Sequence, residues 1–178
     1  MNILEENPDL LRSIFDYDNG DLFWKTPTRH SHINVGDLAG WIQPKGYLYI
    51  MYYGASCAGH RLIYTMHHGI IPDGLTIDHK NRNKYIGLFG KLQYDNHIDN
   101  LRLATLSEQK CNQKTYANNT TGHKGIIWYK SSNLWVAQIN KDRKVYKKYF
   151  QDLDKAVEWR KSMEVQLHED FTGDLFTP

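Results

Sequence analysis

Asp78-His79 pairs a carboxylate with an imidazole, and downstream the run Asn96-His97-Ile98-Asp99-Asn100-Leu101-Arg102 adds amide and carboxylate oxygens. An imidazole with an ordinary pKa near about 6.5 takes a proton from water at neutral pH, and a neighbouring carboxylate can hold a hard divalent cation. In-line attack on a phosphodiester needs an aligned water, a proton acceptor and stabilisation of the charge that develops on the phosphorus centre and leaving oxygen. His79 meets the first two needs, and a cation beside Asp78 would meet the third. Asp78-His79 alone would be an ordinary surface dipeptide; the ordered appearance of Asn96, Asn100, Leu101 and Arg102 makes it a candidate site for metal-assisted phosphodiester hydrolysis.

Several elements must position these residues. Asn7-Pro8-Asp9 before Leu10, Leu11, Ile14 and Phe15 predicts a short amphipathic helix ending before the turn Asp18-Asn19-Gly20. Asp21 to Lys25 and the aromatic-rich Gly46 to Tyr53 have strand composition and predict an N-terminal antiparallel sheet. His60 to His68 carries Leu62, Ile63 and Met66 at helical spacing, followed by a Pro72-Asp73-Gly74 turn. Leu75-Thr76-Ile77 then leads into Asp78-His79 as a short strand. Lys80 to Tyr94 reads as a long loop between the two halves of the motif. His60 opens its helix, where capping or packing is its simplest role, and His67 and His68 suit a last helical turn through the macrodipole.

A chain of 178 residues with 40% hydrophobic content suits one medium domain or two small ones. Cys57 and Cys111 are its two cysteines, without a CxxC pair, and no signal-peptide pattern or bilayer-length apolar run appears. That favours a reduced, intracellular protein with no membrane association. A structural zinc site built on Cys57 and His60 would lack a tetrahedral ligand set. The net charge of +2 conceals an asymmetry: residues 102–161 hold 13 of the 22 Lys and Arg against 5 of the 20 acids. Clustered basic charge releases counterions from a phosphate backbone, so this stretch is the expected nucleic-acid footprint.

Asn112 to Gly122 is polar and poor in apolar residues, which marks a linker. Beyond it Ile126–Tyr129, Leu134–Asn140 and Lys144–Phe150 predict three strands, and Asp152 or Asp154 would cap a helix running to about Leu167.

His60-Arg61-Leu62, Ile77-Asp78-His79 and Asn96 to Thr105 resemble an HNH endonuclease, over roughly residues 20–112 and most closely the phage and intron-encoded homing type. The resemblance implies an α+β fold with a ββα-metal core. It implies His79 as general base, Asp78 and Asn100 as ligands of one Mg²⁺ or Mn²⁺, and Asn96 as a structural clamp. Arg61 and Arg102 become candidate phosphate contacts. Because Asp95, His97 and Asp99 are neighbours with competent donor atoms, a one-position shift would exchange ligand and clamp.

The C-terminal segment resembles an AP2-type DNA-binding domain over about residues 121–173, through Gly122 to Ile126, Leu134 to Ile139, Tyr149-Phe150 and Asp154-Lys155-Ala156. Such domains lay a three-stranded sheet, backed by a helix, in the major groove. Period-two alternation predicts Trp135, Ala137 and Ile139 against the helix and Val136, Gln138 and Asn140 on the open face. The same reading places Lys124, Tyr129, Lys144, Tyr146 and Lys148 on the DNA side, with Gln138 and Asn140 reading adenine edges and the lysines holding phosphates.

The expected organisation is therefore a nuclease domain at 1–111, a linker at 112–121 and an AP2-like module at 122–178. The expected partner is double-stranded DNA, met by a monomer with one active site that nicks one strand per engagement. A catalytically silent AP2-like DNA-binding regulator is the alternative. If the resemblance extends to a phage origin, the protein would act in the cytoplasm of a bacterial host.

Overall fold

A computed structural model describes residues 3–26, 32–111, 119–141 and 144–168, and the chain divides into two compact units, Met1–Thr105 and Leu106–Pro178. Residues 112–118 of the expected linker and the Asp142-Arg143 turn lie outside the described residues.

In the first unit, helix α1 (Pro8–Ile14) starts where Asn7 accepts a hydrogen bond from the Leu10 backbone N–H at 2.9 Å, with proline at a position that needs no donor. It runs directly into hairpin β1 (Phe15–Asp18) and β2 (Asp21–Trp24), closed by Asn19 and Gly20 with φ of 47° and 95°. A two-residue turn with both residues left-handed matches the twist of its strands. Strands β3 (Trp41–Ile42), β4 (Leu48–Tyr52) and β5 (Ala55–Ala58) form a separate antiparallel sheet. The expected single N-terminal sheet is thus two small ones, and an isolated bridge pairs Phe23 of β2 with Leu38, ahead of β3.

Helix α2 (Gly59–His68) buries Leu62, Ile63 and Thr65. Gly59 admits no larger residue, because a Cβ there would stand 2.5 Å from the Leu48 side chain. Strand β6 (Leu75–His79) follows, and hairpin β7 (Lys84–Ile86) and β8 (Leu92–Tyr94) occupies what the sequence suggested was a long loop. A single 3₁₀ turn (Ile98–Asn100) then delivers the chain to β9 (Leu101–Thr105), which pairs antiparallel with β6. Asn100 therefore lies at the junction of a 3₁₀ turn and a strand, while the α-helix, α3 (Leu106–Cys111), starts only after β9. The core gathers Leu11, Phe15, Leu22, Trp24, Ile42, Leu48, Ile50, Cys57, Leu62, Ile63, Ile77 and Leu101, so α1, α2, β1 to β6 and β9 all contribute buried side chains while strands β7 and β8 do not. Truncating a fully buried residue such as Leu62 to alanine costs about 2–5 kcal/mol in such a setting.

In the second unit, β10 (Ile126–Tyr129), β11 (Leu134–Lys141) and β12 (Lys144–Phe150) form a three-stranded antiparallel sheet in sequential order. Helix α4 (Leu153–His168) is capped by Asp152, whose carboxylate accepts the Lys155 N–H at 3.0 Å. Ala156 and Arg160 of α4 are buried, and Trp135, Phe150 and Trp159 pack around Ile126, Ala137 and Ala156. The three strands and the helix are those that the alternation and capping pattern predict.

Candidate active site

The β6–β9 pairing sets Asp78 opposite Arg102 and His79 opposite Leu101. Asp78 and His79 are both 7% exposed, buried enough for local partners to govern their chemistry yet open to solvent at an edge. His79 Nε2 lies 2.9 Å from Asn96 Oδ1, so Nε2 carries the proton it donates to Asn96 and Nδ1 is left as the basic nitrogen. Burial lowers the His79 pKa below the ordinary imidazole value, against the opposing effects of the Asn96 hydrogen bond and the Asp78 and Asp95 charges. The ring is thereby held neutral and able to accept a proton at pH 7.

An aromatic enclosure fixes that ring. Tyr94 stacks on His79 with centroids 5.2 Å apart and planes at 25°, while Tyr47 and His60 approach at 6.3 and 5.2 Å. Burial drives the His60 pKa down to about 3, and its Nδ1 is buried with no hydrogen-bond partner in the structure. Burial likewise raises Tyr47 to about 12, so both neighbours of His79 stay neutral at physiological pH. His60, Tyr47 and Tyr94 were not among the expected site residues. Only His60 stood out in the sequence, and the roles of the two tyrosines depend on contacts with His79 across 32 and 15 positions that no local pattern encodes.

Asn100 is occupied at both ends of its amide. Its Oδ1 accepts the Asn81 backbone N–H at 2.8 Å and its Nδ2 donates to the Asp95 carbonyl at 2.6 Å, while its own carbonyl accepts from Lys80 N–H at 2.8 Å. The side chain ties the beginning of the 80–94 insertion to its end. This is the geometry of a clamp, whereas Asn96, expected to be the clamp, faces the imidazole. Asn96 thus partners the imidazole and Asn100 the backbone, where the sequence offered Asn96 as clamp and Asn100 as metal ligand.

The segment is braced from behind by the first hairpin. A Cβ on Gly20 would stand 2.8 Å from the His97 nitrogen and 3.0 Å from the Asn96 carbonyl carbon, so only glycine allows this approach. The Tyr17 hydroxyl accepts the Ile98 N–H at 3.0 Å.

Several expected phosphate contacts are placed otherwise. Arg61 donates through Nε and Nη2 to Glu5 Oε2 at 2.9 and 2.6 Å, an ion pair that occupies its guanidinium. Arg102 donates through Nε and Nη2 to Asp78 Oδ2 at 3.2 and 3.1 Å, since cross-strand neighbours share one face of a sheet. Lys124 donates to the Lys110 carbonyl at 2.7 Å.

In the second unit the register corrects the expected reading face. The pairs Val136↔Tyr149, Gln138↔Lys147 and Asn140↔Val145 put those β12 residues on the face of Gln138 and Asn140, together with Ile127 and Tyr129. Lys144, Tyr146 and Lys148 pair with Lys141, Ile139 and Ala137 and so lie on the opposite face, the one that carries buried Ala137 and Ile139. A two-residue connection between β11 and β12 pairs even-numbered with odd-numbered residues, which reverses the parity assumed from sequence. Val136, expected to be open, is fully buried. Gln138, Asn140, Ile127, Tyr129, Val145 and Tyr149 are exposed, and Lys147 lies over the Tyr149 ring at 5.0 Å.

Among the described residues no group of three or more His, Cys, Asp or Glu gathers as a metal cage, and no helix is long and apolar enough to cross a membrane. Asp78 is the carboxylate next in sequence to His79, and the Asp95 charge also acts on the ring.

Strand β6 with its buried Asp78-His79 falls in a segment, residues 57–85, that matches the HNH endonuclease family model. That match begins within β5, covers α2 and β6, reaches into β7 and ends before Asn96 and Asn100. The chain is also similar to Protein 3.8 of Escherichia phage T7, at 31% identity over 112 residues, covering 63% of this chain and 85% of that protein. The chain belongs to the family of this phage protein, and its likeness to HNH endonucleases rests on residues 57–85. No solved structure matches it.

Proposed function

We propose that the protein is a divalent-metal-dependent DNA endonuclease of the homing type that nicks one strand of duplex DNA per engagement. The observation that carries this reading is the His79–Asn96 hydrogen bond beside Asp78, within the segment matched by the HNH family model. Asn96 Oδ1 accepts a hydrogen bond from Nε2–H, which orients the ring and fixes the tautomer in which Nδ1 accepts a proton from the attacking water. Tyr47, His60 and Tyr94 hold the imidazole in place and exclude bulk solvent from three sides. Asp78 offers its carboxylate to Mg²⁺ or Mn²⁺, and Asn100 acts as the clamp that closes the insertion. The cation, when bound, supplies Lewis-acid stabilisation of charge on the phosphate oxygens.

Target binding falls to the second unit, read as an AP2-like module. Its open face offers Gln138 and Asn140 to base edges, with Lys147 and Tyr129 beside them, and the basic surplus of residues 102–161 supports that face electrostatically. With one Asp78-His79 site per chain, a monomer cuts one strand. The test is incubation of supercoiled plasmid with purified protein and Mg²⁺ or Mn²⁺: nicked circles from wild type and none from His79→Ala support the reading. Intact plasmid in both, with binding that persists in chelator, would instead identify a DNA-binding regulator.

A further inference from the structure

Hairpin β7–β8 inverts the usual placement of polar and apolar residues. Its inward face carries Gln93, fully buried, with Nε2 3.2 Å from Asp21 Oδ1 and 3.1 Å from the Tyr85 hydroxyl. Its outward face carries Ile86 and Leu92, which are cross-strand partners at 67% and 53% exposed, and Leu88 in the connecting turn is 66% exposed. A hairpin that served only to be solvated would show the opposite pattern.

The base of this hairpin is rigid and adjoins the candidate active site. Tyr94 N–H donates to the Gly46 carbonyl at 2.9 Å, and Lys84 Nζ donates to the Lys45 carbonyl at 2.7 Å while lying 4.4 Å from the centre of the Tyr94 ring. Tyr94 and Lys84 are paired residues on the same face as Ile86 and Leu92. One surface therefore runs from the ring stacked on His79, past a lysine, to an apolar tip. Gly87 seals the tip's inner side, because a Cβ there would stand 2.3 Å from the Gln93 side chain. Asn100 closes the two feet of the insertion onto each other. Residues 80–94 contain Lys80, Arg82, Lys84 and Lys91 and no acid, which matches the charge of a phosphate backbone.

We propose that the β7–β8 hairpin is a DNA wedge: its apolar tip, Ile86, Leu88 and Leu92, enters the minor groove and unstacks a base step while the flanking basic residues hold phosphates on either side. Apolar side chains inserted between base steps kink the duplex and expose more of it to the protein. The inference draws on the nuclease reading only for where the cut falls. At about 3.3 Å per residue from Tyr94, whose ring lies 5.2 Å from that of His79, the tip reaches at most about 25 Å from His79, so the opened step lies within about seven base pairs of the cleaved phosphate.

Binding provides the test, using full-length His79→Ala protein and short mixed-sequence duplexes, either fully paired or carrying one mismatch. A wedge spends less energy on a step that is already loosened, so this protein binds the mismatched duplex about tenfold more tightly, and adding Ile86→Ser and Leu88→Ser removes the preference. Leu88→Ser alone, at an exposed turn position outside the core, gives a partial loss and guards against misfolding of the double variant. No preference in the parent, or a preference that survives both substitutions, overturns the wedge, as it would if another protein covered the tip. The two readings separate in a second measurement. Plasmid left intact by otherwise wild-type protein that still prefers mismatched DNA removes the nuclease and keeps the wedge; nicking of paired DNA at the wild-type rate by Ile86→Ser/Leu88→Ser removes the wedge and keeps the nuclease.

Discussion

Asp78 and Arg102 are cross-strand partners on β6 and β9, and both Nε and Nη2 of the guanidinium converge on the same carboxylate oxygen, Oδ2, at 3.2 and 3.1 Å. A positive side chain thus competes for the oxygen that a divalent cation would use. Arg102→Met should therefore lower the Mg²⁺ or Mn²⁺ concentration needed for half-maximal nicking, by about three- to tenfold if the pair is worth about 1 kcal/mol. Were Arg102 instead a direct phosphate contact, the metal dependence would stay put and KM for DNA would rise. A metal titration of both proteins on supercoiled plasmid separates the two.

Neutral His79 is the form that accepts a proton, and burial lowers its pKa below the ordinary value of 6.5. The rate should be on its plateau at pH 7 and fall only on the acid side of pH 6.5. Asn96 opposes this lowering, so Asn96→Leu should move the acid limb to still lower pH while reducing the plateau through loss of ring orientation. His79→Ala should lose about 10²–10⁴-fold at every pH. Rate against pH for the three proteins is the measurement, and an acid limb that moves upward in Asn96→Leu would contradict the assigned hydrogen bond.

Asn100 bonded to backbone at both ends predicts a structural phenotype. Asn100→Ala leaves the Asn81 N–H and the Asp95 carbonyl without their partner, a loss of about 1–3 kcal/mol. The same loss should appear in urea unfolding with and without Mg²⁺. A destabilisation seen only in the presence of metal would return Asn100 to the role of ligand.

Much of this site was legible in the chain, and what was missed follows physical lines. Asp78-His79 on a strand, the helix from His60 to His68 and the Asn19-Gly20 turn are local patterns, and each formed where composition and periodicity put it. The division of labour between Asn96 and Asn100 was not local, since their partners, the His79 imidazole and the Asn81 backbone N–H, lie 17 and 19 residues upstream. The β7–β8 hairpin was obscured because its exposed face is apolar and its buried face holds Gln93, contrary to the rule by which strands are recognised. In the second unit every strand was legible but one parity was not, because a single-residue difference in a turn reverses a face.

That parity makes a discriminating pair of variants. Lys147 shares the face of Gln138 and Asn140, whereas its neighbour Lys148 shares that of Ala137. Lys147→Ala should weaken DNA binding and reduce the salt dependence by about one phosphate contact, and Lys148→Ala should change both much less. Anisotropy titrations across a range of salt read both effects. Equal losses in the two variants would mean that the sheet does not meet DNA through this face.

His60 ties the stability of the active site to pH. Its folded pKa of about 3 lies below the 6.5 of an ordinary imidazole, so as pH falls the unfolded chain takes up a proton that the native protein refuses. The native state is therefore fully favoured above about pH 6.5 and loses stability progressively toward pH 3, by a few kcal/mol at most. His60→Phe keeps an aromatic ring against Tyr47 and His79 and removes the titration. Its unfolding free energy should vary less between pH 7 and pH 4 than that of wild type, as measured by urea denaturation. Parallel pH dependence in the two proteins would mean that His60 is solvated, and the dry enclosure around His79 would have to be redrawn.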